Sequence, residues 1–110
     1  MKTLTFLLLI AGVIYSQNKS FEEDMEAAYS NAKKGVYFAL ENIPDRKSSV
    51  SKELIDNDKL VARVKISKEV QGVKIESEGI YRTYEVKISI YRSYDKLIQE
   101  GYIKYIPEDD

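Results

Sequence analysis

The sequence predicts an α+β fold in two layers, with one N-terminal amphipathic helix packed on a curled antiparallel sheet of three to five strands. Two changes of rhythm predict it. Between Ser20 and Ile43 the apolar residues recur at helical spacing, and from Leu60 to Tyr94 they recur at every second position. A third observation bears on stability: the chain has no cysteine, so no disulfide framework can substitute for a packed core.

Taken in order, the helix comes first. Phe21, Met25, Ala28, Tyr29, Ala32, Val36, Ala39, Leu40 and Ile43 keep one stripe in line at 3.6 residues per turn. Ser20 and Glu23 have the spacing of a capping box, and Pro44 sets the end, because the residue before a proline leaves helical geometry. Residues 44–49 are polar and read as a loop. Val50–Ile55 reads as a short edge strand, and Asp56-Asn57-Asp58 as a turn. Leu60, Ala62, Val64 and Ile66 then alternate with polar partners, Gln71-Gly72 reads as a hairpin turn, and Val73 and Ile75 continue inward. Gly79 interrupts the pattern and reads as a turn or bulge. Ile80–Tyr94 has the strongest strand signal, with Ile80, Tyr84, Val86, Ile88 and Ile90 on one face and Tyr81, Glu85, Lys87 and Tyr91 on the other. Residues 95–101 read as one or two helical turns begun by Asp95 and closed by Gly101, or as strand; Tyr102–Ile106 reads as a last strand.

Lys2 followed by an apolar run over Leu4–Ile14, with Ser16 as a small residue at the cleavage position, resembles a bacterial Sec signal peptide. That resemblance covers residues 1–17 and implies export to the periplasm or the medium, with 1–16 removed and 17–110 forming a single small domain. An uncleaved anchor is the alternative, although the run is short for a membrane span. Loss of Lys2 leaves 16 basic against 18 acidic side chains, a balance that argues against nonspecific nucleic-acid binding, which needs a basic stripe. One helix on a curled sheet resembles the layout of cystatin-like and nuclear-transport-factor-like folds in element order alone. The cystatin Q-x-V-x-G loop is absent; the nearest stretch is Val70-Gln71-Gly72-Val73.

Chemistry finds little purchase. Without histidine or cysteine there is no Ser-His-Asp or Cys-His arrangement, and no phosphate-binding glycine motif occurs. No cofactor and no metal is expected: Glu22 and Glu26 fit helix solubility, and Asp56 and Asp58 open like a calcium loop but lack glycine and glutamate at its sixth and twelfth positions. Glu76, Glu78 and Glu85 resemble a carboxylate pair across a hairpin, yet alternating Lys and Glu on a wet sheet face explains them as well.

Tyrosine is the unexplained feature, with six of nine between Tyr81 and Tyr105. The first functional reading is a non-enzymatic interaction protein of the cell envelope, presenting Tyr81, Tyr91, Arg92, Tyr37 and Phe38 to a protein partner. The second is a small-ligand carrier with a cavity between helix and sheet lined by Met25, Tyr29, Tyr84 and Ile88. A carboxylate-based enzyme is the third. An exposed edge strand would also allow strand addition or a homodimer.

Overall fold

The computed structural model describes residues 2–107, with side chains from Ser20 to Pro107. The predicted signal segment, residues 1–16, lies outside the residues whose side chains are described. Helix α1 (Lys2–Leu40) precedes strands β1 (Ser49–Asp56), β2 (Lys59–Glu69), β3 (Gly72–Tyr81) and β4 (Tyr84–Ser93), and a short helix α2 (Tyr94–Gln99) follows. The strands form one antiparallel meander in the order β1-β2-β3-β4, and α1 covers one face. This is the two-layer α+β arrangement that the change of rhythm implies, with four strands.

Both ends of the helical segment differ from the sequence reading. Ser20 lies inside α1, so it does not act as a cap. The helix stops at Leu40 instead of running to Pro44, because the Asn42 amide side chain donates to the Phe38 carbonyl at 2.7 Å and its backbone N–H to Ala39 at 2.9 Å. These bonds satisfy carbonyls that another helical turn would have occupied.

Three two-residue turns set the strand register. Asn57 and Asp58 both have positive φ (51° and 62°), which short polar side chains tolerate. The second turn is Val70-Gln71, one residue earlier than the sequence suggests, with Gln71 at φ 60°. The third is Arg82-Thr83, not Gly79. Tyr81 therefore pairs with Tyr84 on the helix-facing side, and Ile80 pairs with Glu85 on the opposite side, reversing the predicted phase of both Tyr81 and Ile80. From Tyr84 to Ile90 the predicted phase holds, with Val86, Ile88 and Ile90 half-buried beneath the helix layer.

Gly79 has a different task. A Cβ there would strike the Ala28 carbonyl and the Ala32 backbone, so the glycine lets β3 and α1 touch backbone to backbone. Ser77 Oγ donates to the Ala32 carbonyl at 2.7 Å, and Asn31 Nδ2 to the Ile80 carbonyl at 2.7 Å. Four helical residues advance about 6 Å and two strand residues about 6.6 Å, so the Ala28–Ala32–Val36–Leu40 stripe keeps pace with Gly79, Ser77, Ile75 and Val73 along β3.

Beyond Gly35 the layers separate and large side chains fill the space. Val36, Leu40, Val64, Ile66, Val73, Ile75, Tyr94 and Leu97 form the core, flanked by Phe38, Ile43, Val50, Ile88, Ile90, Tyr102 and Ile103. Tyr94 and Leu97 come from α2, whose N-cap is Ser93, accepting from the Lys96 N–H, rather than Asp95. Gly101 at φ 85° turns the chain as expected of a glycine after a helix. The expected strand at Tyr102–Ile106 does not form. The Tyr102 N–H turns back to the Leu97 carbonyl (2.9 Å), and the Tyr105 hydroxyl donates to Asp45 Oδ2 (3.3 Å), so the tail straps the wide end of the core. Among the described residues no helix is long and apolar enough to cross a membrane.

Candidate functional site

The sheet face away from α1 is a charge ladder. The register aligns Glu53, Arg63, Glu78 and Lys87 across the four strands, so signs alternate from one strand to the next. Arg63 holds Glu78 at 3.1 Å, Glu53 at 3.7 Å and Glu85 at 3.9 Å, while Lys74 approaches Glu76 at 3.8 Å. The carboxylates singled out in the sequence are therefore brought to one face, and basic side chains on that face accompany each of them. Pairing of this kind at the surface organises a sheet and contributes little stability.

The tyrosine surface is not assembled as one patch. Tyr91 points to the ladder face, and its hydroxyl donates to the Val70 carbonyl at 2.7 Å while its ring lies over Gly72. Arg92 faces the helix side and pairs with Glu100 at 3.6 Å. Tyr81 is at the opposite end of the sheet, where the Arg82 guanidinium lies 5.3 Å from its ring centre. Tyr37 is exposed on the side of α1 away from the sheet, and Phe38 is partly buried against the core.

The cavity residues are likewise redistributed. Between Ala28, Ala32, Gly35 and the sheet there is direct contact: a Cβ on Gly35 would come within 2.9 Å of Ala62 Cβ. Met25 and Tyr29 lie instead at the flank of α1, where with Phe21, Glu22, Glu26 and Val86 they line an open groove beside β4. Tyr84 closes one end, its ring edge-on to Phe21 at 5.5 Å. Ile88 lies further along the same strand, packed against the core.

That groove borders the feature which strand-by-strand reading missed, the outer edge of β4. An open strand edge presents unpaired N–H and C=O groups, and folded proteins blunt it with bulges, inward charges or proline. β1, the other edge, carries two such devices: a register irregularity at Leu54/Ile55 and Lys52 on its helix-facing side. β4 carries neither along Tyr84–Ile90: its pairing with β3 is regular, and its helix-facing residues are Tyr84, Val86, Ile88 and Ile90. No strand among the described residues pairs with its outer edge. The missing proline and the inward apolar run are visible in the sequence, but the position of β4 at an edge is set by the strand order. No family model, curated protein or solved structure matches this chain.

Proposed function

We propose that the protein is an exported, non-enzymatic interaction module that takes up an extended protein segment along the outer edge of β4. One observation carries this reading: along Tyr84–Ile90 the β4 edge pairs regularly with β3 and is apolar beneath, its inward Arg92 lying near the end of the strand and paired with Glu100, while β1 lies against a bulge at Val61 of β2 and bears an inward lysine in its middle. Strand addition supplies main-chain hydrogen bonds, and the groove of Phe21, Met25, Tyr29 and Val86 offers apolar contacts to alternate side chains of the incoming segment. The signal-like residues 1–16 support export, where such a partner would be another envelope or extracellular protein.

The test is site-specific photo-cross-linking in cells producing the full chain, with a benzophenone amino acid in place of Ser89 on β4 or of Ser51 on β1. Both side chains are exposed on the ladder face. Adducts from position 89 and none from position 51 are the expected result. No adduct from 89, or equal adducts from both, would refute the reading.

A further inference from the structure

We infer that the segment taken up by β4 is β4 of a second copy, paired antiparallel about a two-fold axis through Ile88. This rests on the edge reading above and adds the identity of the partner.

When two identical edges pair antiparallel about an axis normal to the sheet, facing residues lie on the same side of the sheet, so their numbers sum to an even value. With the axis at Ile88, the helix-facing pairs are Ile88 with its own counterpart, Val86 with Ile90 and Tyr84 with Arg92. On the ladder face Lys87 meets Ser89, and Glu85 meets Tyr91. No two like charges stand opposite each other, and Arg92 faces an aromatic ring of the kind that attracts a guanidinium.

Neighbouring registers are worse. An axis at Lys87 sets that lysine against itself, and an axis at Ser89 puts Arg92 opposite Val86. β1 offers no equivalent: the axis that matches Val50 with Leu54 sets Lys52 against Lys52. The pairing also accounts for the groove. With α1 lying chiefly over β3, three strand spacings put the two helices ~14 Å apart. The gap between them would then be floored by two copies of Val86, Ile88 and Ile90 and walled by Met25 and Tyr29, aromatic and aliphatic groups that each copy alone leaves half in water.

The chain has no cysteine, so introduced thiols report on this register without background. Facing Cα atoms in such a pair are about 4.5–5.5 Å apart, within the range a disulfide spans. Under mild oxidation Ile88→Cys is expected to form a reducible dimer by itself. A mixture of Glu85→Cys and Tyr91→Cys is expected to form the mixed dimer, whereas either alone stays monomeric because its two copies are ~20 Å apart. Glu85 and Tyr91 are exposed, so these variants keep the fold even if Ile88→Cys does not. Sedimentation of the unaltered chain is expected to give twice the monomer mass. Position-89 adducts to a different protein, with no mixed dimer, would overturn self-pairing and leave the edge reading standing. Absence of any position-89 adduct together with a monomeric chain would overturn both. A dimer formed equally by Ser51→Cys would overturn the choice of the β4 edge.

Discussion

The two ends of the helix–sheet interface are built on opposite rules. Near Ala28, Ala32, Ser77 and Gly79 the layers meet through backbone atoms and small side chains, with Asn31 bridging at the flank to the Ile80 carbonyl. Near Leu40, Ile66, Val73 and Leu97 the layers are held apart by branched side chains that are fully buried. A helix laid on a sheet in this way forms a wedge, closed at one end and open at the other, and α2 with the tail seals the open end. The lesson is that one interface has two signs of sensitivity: the closed end resists added atoms, and the open end resists their removal.

Five variants, measured by denaturant titration, would break or sharpen that contrast. Leu97→Ala empties the centre of the open end and is expected to cost about 4 kcal/mol, in the range for a large-to-small change that leaves a cavity. At the closed end Gly79→Ala adds one methyl group, yet it meets helix backbone that cannot rotate away, and a loss of about 3 kcal/mol is expected. A neutral Gly79→Ala would show that the layers slide freely and would undo the wedge description. Gly35→Ala is milder, because its Cβ meets the ends of Ser77 and Ala62 side chains and the helix gains propensity; a loss of about 1–2 kcal/mol is expected. Ser77→Ala alone removes one buried hydrogen bond to the Ala32 carbonyl and should cost about 1 kcal/mol. Combined, these last two should be non-additive by about 1 kcal/mol in the favourable direction, since deleting the Ser77 hydroxyl vacates the space that the new Cβ enters.

The contrast also explains what could be read in advance. The 3.6-residue stripe of α1 and the alternation in β2 and β4 depend on one residue and its near neighbours. The alternation appears as expected, and the stripe is buried from Ala28 to Leu40 apart from exposed Tyr29, whereas Phe21 is exposed and Ile43 lies beyond the helix. Gly79 shows where such reading stops. A glycine that opens a turn and a glycine that admits a neighbouring backbone are the same letter, and only the position of α1 distinguishes them. The true turn, Arg82-Thr83, carries no turn signal. It is held by the Tyr81–Tyr84 pair and by Arg82, which reaches Asp24 of α1 at 3.8 Å, a partner 58 positions away in the chain. The C-terminal strand failed for a related reason: Tyr102–Ile106 has strand composition, but its amides find α2 and the core before any sheet edge. Of the candidate site, the residues of β4 were legible and its place at the sheet edge was not, because strand order is a tertiary fact.

The Ser77–Ala32 bond joins residues 45 positions apart, whereas each strand pair closes through a two-residue turn. Hairpin closure between near neighbours is fast, and the entropy of closing a longer loop grows with its length. The sheet therefore has a short route to assembly, whereas docking of the helix closes the longer loop. A chain appearing N-terminus first presents the alanine stripe before its partner strand exists. During that interval Ala28, Ala32 and Ala39 offer methyl groups where larger side chains could stand, so that part of the stripe gives strangers little to gain by sticking.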